Sequence, residues 1–312
     1  MSSWQSQVAS AITRLCVRRR NWGDNHALAR RCRRLFGAPR ALQRIALRGL
    51  AHEVVSASGG VRGEWIIPPH ARSGVILYVH GGGYVSCSAA THRPITAALA
   101  RLTGCAVFSA DYGTAPESPF PAAFDDALAV YRWLVTDGMP TGPIAIAGES
   151  AGGGLALALV QHVRDAGWRA PECVVALSPW TDLVGVGASR YTNDGRCAMF
   201  RSENVEAFAS CYLNGARPDD PRASPLYGDW RGLPPILLQV GSTELLLDDA
   251  VRVRDCILPA GGECRLTVYE DVPHGWHFFG RLMPEADAAL KEVADFVRDH
   301  FARWIAVPAE RS

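Results

Sequence analysis

The sequence predicts a doubly wound α/β sandwich, a mostly parallel sheet with helices on both faces. Six continuous apolar runs of strand length read as strands buried on both sides: "GVILYVH" (74–80), "CAVFSADY" (105–112), "PIAIAGE" (143–149), "CVVALSPW" (173–180), "PILLQVG" (235–241) and "CRLTVYED" (264–271). Helical patterns fall between and after them, near 91–103, 121–136, 152–166, 248–260 and 285–304. Such alternation argues for parallel strands joined by right-handed crossovers. A chain of 312 residues, 48% of them hydrophobic, can bury a core of that size.

Taken in order, residues 1–48 read as helical, with breaks near Gly23 and at 37–39. "HEVVSASG" and "VRGEWIIPP" follow as two short strands, with Gly59 and Gly60 between them as a hairpin signal. The strand–helix rhythm then runs to the C-terminus with one interruption. Residues 181 to about 233 are longer than a single crossover needs, and they hold a helical stretch at Ser202–Leu213 and several prolines. Long insertions of this kind are usually lids or binding elements, and ligands of open α/β sheets sit beyond the carboxyl ends of the strands. The last run, "CRLTVYE", reads as a sheet edge, which leaves a homodimer open.

The formal net charge of +1 gives no global field favouring nucleic acid, an anionic membrane or one class of charged substrate. Nine cysteines, an odd number with no C-x-x-C pair, argue against a disulfide framework or a zinc site and for a reducing, cytoplasmic compartment. No apolar run is long enough to span a bilayer. The first twenty residues lack acids and carry Arg14, Arg18, Arg19 and Arg20 among serines, a composition shared by transit peptides. The trend continues through Arg30, Arg31, Arg33, Arg34, Arg40, Arg44 and Arg48, which favours an Arg-faced helical segment of the mature chain.

Four local patterns carry chemistry. Gly148-Glu149-Ser150-Ala151-Gly152 follows a buried strand and opens a helix. A serine at that corner is held in a strained conformation with its hydroxyl presented, and the Ala151 N–H at the helix start can face an oxyanion. Glu149 reads as support for the turn. His80-Gly81-Gly82-Gly83-Tyr84 follows an earlier strand; its glycines let backbone N–H groups converge, and no phosphate-loop Lys-Ser/Thr follows. His274, in "VPHGWHFF", lies on a loop beyond the last strand, with His277 as the rival that begins the next helix. Glu244 follows "PILLQV" and can orient a histidine; Asp248 and Asp249 read as helix N-terminal residues, and Asp271 lies close to His274 in sequence. The chain order Ser150, Glu244, His274 is that of the α/β-hydrolase arrangement.

With these motifs in place the sequence resembles the hormone-sensitive-lipase-like branch of bacterial α/β-hydrolase esterases. The resemblance rests on "HGGGY", "DYGTAPESPFPAAFDD", "GESAGG", "SPWTDL", "VGSTELLLDD" and "VPHGWHFF", spread over residues 50–300. It implies an α/β-hydrolase fold with a helical cap: N-terminal cap helices at 1–48 and a catalytic domain at 49–312, with a cap insertion at about 181–225. It implies Ser150 as nucleophile, His274 as general base and acid, Glu244 as the acidic member, and Gly82, Gly83 and Ala151 as oxyanion donors. His80 becomes structural. No metal or organic cofactor is implied, and the partner is a small-molecule ester of short to medium acyl chain. Lactone opening, deacetylation of a secondary metabolite, or a non-catalytic receptor on the same fold stay open as alternatives. Two departures stand out: Glu149 sits where Asp or Thr is commoner, and Gly113 and Thr114 replace an Arg-Leu pair.

Overall fold

Among the described residues every strand belongs to a single sheet. The computed structural model describes residues 2–18, 25–136 and 142–306. The N-terminal segment forms α1 (Trp4–Thr13), a π-helical turn (Arg14–Arg18), α2 (Asn25–Leu35) and α3 (Arg40–Ala46). The expected break near Gly23 lies outside the described residues. Next come β1 (Ala51–Ser56), β2 (Arg62–Ile67), β3 (Arg72–Val79), α4 (Arg93–Thr103), β4 (Cys105–Ala110), α5 (Ala122–Thr136), β5 (Ile144–Glu149), α6 (Ala151–Asp165) and β6 (Cys173–Leu177). The interval that follows holds the short helix α7 (Ser189–Thr192) and α8 (Ser202–Leu213). The chain closes with β7 (Ile236–Gly241), α9 (Leu247–Ile257), β8 (Cys264–Tyr269) and α10 (Pro284–Ala306).

The eight strands run β1-β2-β4-β3-β5-β6-β7-β8 across the sheet. β1 and β2 pair antiparallel, as the Gly59 and Gly60 signal predicts, and β2 lies antiparallel to β4; the remaining pairs are parallel. Residue alternation on β3 explains why its run is apolar throughout. Leu77 and Val79 join the core built with α5, α6 and α9, while Ile76 and Tyr78 join the core built with α4 and α10. β8 is the sheet edge, as its run suggests, but it is half-exposed rather than buried on both sides as its apolar run implied.

Helix ends follow local chemistry. Pro94 sits in the first turn of α4, and Gly104 ends that helix in the left-handed region, its N–H bonded to Ala100 O. Three strands stop two or more residues before the end of their apolar runs. β4 ends at Ala110, and one further bond to β2, Asp111 N–H to Arg62 O, closes that ladder. Ser178 and Asp271 both take positive φ, which extended pairing cannot accommodate. His277 does not open a long helix: it lies buried in a 3₁₀ segment (Trp276–Leu282), and α10 starts only at Pro284. Among the described residues no helix is long and apolar enough to cross a membrane.

Candidate active site

Ser150 stands between β5 and α6 at φ 56°, ψ −122°, a conformation that costs a non-glycine residue on the order of 1–3 kcal/mol unless its surroundings hold it. Its own N–H bonds Leu177 O at 2.8 Å, and its carbonyl accepts from Gly154 and Trp180 N–H at 3.1 and 3.0 Å. The neighbouring glycines are required by space. A Cβ on Gly148 would lie 2.1 Å from Gly152 O, and one on Gly152 would lie 2.2 Å from Val79 O. Helix α6 is thereby drawn against β3 and β5, and the hydroxyl is left at the carboxyl edge of the sheet.

The structure brings the three distant residues together. Ser150 Oγ lies 3.0 Å from His274 Nε2, and His274 Nδ1 lies 2.5 Å from Glu244 Oε2. All three are buried. The Glu244 carboxylate is further fixed through Oε1, which accepts from Gly241 N–H and from the Ser178 hydroxyl, each at 2.7 Å. Burial pulls the His274 pKa down, but the charge and hydrogen bond of Glu244, with the charge of Glu149, more than offset it and raise it above the ordinary imidazole value.

The rivals are placed elsewhere. Asp249 turns toward the interval after β6 and accepts N–H bonds from Thr181 and Asp182; burial lifts its pKa to about 7. Asp248 accepts from Ser189 N–H, and Asp271 faces Arg196 at 3.8 Å. His277 Nε2 lies 3.0 Å from Gln239 Oε1, and its ring packs against that of Trp276.

Gly82 and Gly83 line the same cavity as Ser150. Both have positive φ, and a Cβ on Gly82 would lie 2.3 Å from Ser86 O. His80 braces this loop, as the resemblance implies: its ring stacks on Tyr112 at 4.1 Å, its Nδ1–H donates to Gly81 O, and the Tyr112 hydroxyl donates to His80 O. Burial drives the His80 pKa down to about 3, so the ring is neutral. Glu149 is more than turn support. Its carboxylate is buried under the loop, 3.4 Å from both His92 Nε2 and His274 Nε2, and it lines the cavity.

Three contributions were not assigned from sequence. Ser178 sits in "SPWTDL" with no role attached to it there. Asn193 Nδ2 donates to Ser242 O and Glu244 O and so clamps the acid's loop to the interval after β6. Arg33 brings a guanidinium to the loop where Gly113 and Thr114 depart from the family pattern: it bonds Thr114 Oγ1, Ala115 O, Glu117 and, from Nε, Val85 O.

The cavity over Ser150 is about 380 Å³. Its walls are mostly apolar, drawn from Phe36 and Leu42 of the N-terminal segment, Phe200 and Phe208 of the interval after β6, and Phe278 beside His274. Trp180 lines it as well, whereas Tyr84, Phe120 and Trp276 do not. Tyr84, Phe120 and Trp276 pack in the interior against Tyr212 or His277.

Known proteins resemble this chain in both sequence and fold. Residues 76–278 match the model of an α/β-hydrolase-fold family. An acetyl-hydrolase of Streptomyces hygroscopicus is 39% identical over 83% of this chain and 87% of its own. An esterase of Acinetobacter venetianus is 37% identical over 76% of this chain and 78% of its own. Among solved structures, an esterase from the bacterial hormone-sensitive lipase family superposes with a TM-score of 0.84 at 37% identity, covering 96% of this chain and 99% of that one. EstE5, soaked with p-nitrophenyl butyrate, superposes with a TM-score of 0.87 at 33% identity, covering 96% and 100%. The chain therefore belongs to the hormone-sensitive-lipase-like branch of the α/β-hydrolase family, a branch of carboxylic ester hydrolases.

Proposed function

We propose that this chain is a serine carboxylesterase that works through Ser150, His274 and Glu244 and takes neutral esters of short to medium acyl chain. The relay from Ser150 Oγ through His274 to Glu244, at the floor of a mostly apolar cavity, is the observation that carries this reading. Ser150 attacks the ester carbonyl as His274 Nε2 takes its proton. The tetrahedral oxyanion is held by the N–H groups of Gly82, Gly83 and Ala151. His274 then protonates the leaving alcohol, and water, activated by the same histidine, releases the acid from the acyl-enzyme. The N-terminal helices and the interval at 181–225 act as a cap, since both furnish walls of the cavity. A series of p-nitrophenyl esters from acetate to palmitate tests the reading and sizes the acyl pocket; no turnover of any member would sink it.

Removing an acetyl group is the second reading, favoured by the Streptomyces hygroscopicus relative's description as an acetyl-hydrolase. The same residues serve it, and acetylated amides run beside the ester series separate the two.

Two variants probe the chemistry around the relay. Gly82→Ala should lower kcat about 10²–10³-fold, the usual cost of one displaced oxyanion donor, because its methyl group cannot fit beside Ser86 O. A KM change of equal size with kcat intact would contradict that role. Glu149→Gln tests the charge beside His274. Neutral His274 is the active form, so activity falls as pH drops through its pKa. Removing a negative charge that raises that pKa should move the acid limb of kcat/KM to lower pH. A limb that stays in place would show that Glu149 does not act on His274.

A further inference from the structure

We propose that the outer face of the N-terminal segment docks on an anionic lipid bilayer, with the mouth of the cavity turned toward it. Helix α1 has its amphipathicity reversed. Its inward residues are small: Ser6 and Ala9 are buried, and the Ser6 hydroxyl donates to Asp271 O at 2.9 Å. Its outward side, which also exposes Gln7 and Ala11, carries large apolar residues that continue into the π-helical turn. Trp4, Val8, Ile12 and Leu15 are 70, 47, 56 and 59% exposed, and their spacing puts them along one stripe. Scattered exposed hydrophobics need no explanation, but a contiguous stripe marks an interaction surface.

The stripe adjoins the cavity. Thr13 and Val17, from the same stretch of chain, line its wall. Leu42, Phe279 and Leu282 line it as well and are themselves exposed, so the rim of the mouth is apolar.

Charge selects the occupant. Residues 1–48 hold eleven arginines against one acid, Asp24; the remaining residues hold twenty-one basic side chains against thirty acids. The overall +1 is thus the sum of a strongly basic segment and an acidic body. Arg14 and Arg18 are used internally, bonding carbonyls at 194–200, and Arg33 ties α2 to the Val85 carbonyl. Arg30, Arg34, Arg40, Arg44 and Arg48 are exposed. Arginines combined with an outward Trp and aliphatic stripe are the composition of helices that lie in the plane of anionic bilayers. The charge separation would orient the molecule with this face toward the lipid. A second copy bound face to face would bring two basic segments together, and a nucleic acid would leave the aliphatic stripe in water.

Binding is read without turnover, so its failure is distinct from failure of the esterase reading. Co-sedimentation of the full chain with vesicles of phosphatidylcholine, and of phosphatidylcholine mixed with phosphatidylglycerol, is the experiment. The expected result is at least about tenfold stronger partitioning to the mixed vesicles, weakened by salt. Val8→Gln/Ile12→Gln should cut it about tenfold, and Arg40→Gln/Arg44→Gln about fivefold per arginine. Both variants should still hydrolyse a water-dissolved p-nitrophenyl ester at the parent rate, since none of these residues lines the cavity. Equal partitioning to the two vesicle types, or a Val8→Gln/Ile12→Gln chain that binds like the parent, overturns the proposal. So does a dimer that becomes monomeric in that variant without any vesicle preference, which would assign the stripe to a second copy.

Discussion

Ser150→Ala should abolish ester hydrolysis, lowering kcat by about 10⁴-fold or more, while leaving the fold intact. The size follows from the loss of the only covalent acceptor in the proposed route. With no Oγ, His274 has nothing to deprotonate for acyl transfer, and residual turnover would come from water attacking a carbonyl still held by the oxyanion donors. The fold should survive because the strained backbone is imposed from outside. Leu177 O, Gly154 N–H and Trp180 N–H hold the main chain of residue 150, and none of these bonds uses the side chain. Alanine keeps the Cβ and loses one hydrogen bond, so the thermal midpoint should move little. Hydrolysis that persists in a chain with an unchanged melting curve would overturn Ser150 as the nucleophile. A collapsed melting curve would mean instead that the hydroxyl holds the corner together.

The corner at Ser150 was legible because it is local. A buried strand, a Gly-flanked serine and a helix follow one another within about twenty residues, and the close approach at Gly148 is made within that same turn, although Gly152 answers to Val79 O on β3. The strands were legible because residues buried on both faces leave continuous apolar runs. What the sequence did not disclose depends on register between distant segments. Ser178 reaches Glu244 only because β6 and β7 pair with Leu177 opposite Gln239, which sets the first residue after one strand beside the loop after the other. Glu149 faces two histidines only once the loop after β3 and the loop after β8 close over the end of β5. Arg33, Arg14 and Arg18 read as one basic run, and only the folded chain divides arginines that tie segments together from those that face outward. His277 failed as a helix start for a similar reason: its contact with Gln239 on β7 holds it inside.

Glu244→Gln should cost about 10³–10⁴ in kcat, through the proton map more than through charge alone. The carboxylate now accepts from His274 Nδ1–H, from the Ser178 hydroxyl and from Gly241 N–H. A glutamine must keep an oxygen toward Gly241 N–H, because that backbone donor is buried and has nowhere to turn. Its amide NH₂ then faces His274 Nδ1. Two donors cannot share that contact, so the imidazole proton moves to Nε2. A proton on Nε2 meets the Ser150 hydroxyl as a donor, and the base needed for attack is gone. Loss of the largest partner that raises the His274 pKa also lowers it, so the acid limb of the residual activity should shift to lower pH. Glu244→Asp separates the two effects. It retains the acceptor and the tautomer on a shorter arm, and should recover a large part of kcat while Glu244→Gln does not. Equal loss in both variants, with unshifted pH profiles, would make Glu244 a packing residue of its loop and direct the search for the acid to other carboxylates near His274.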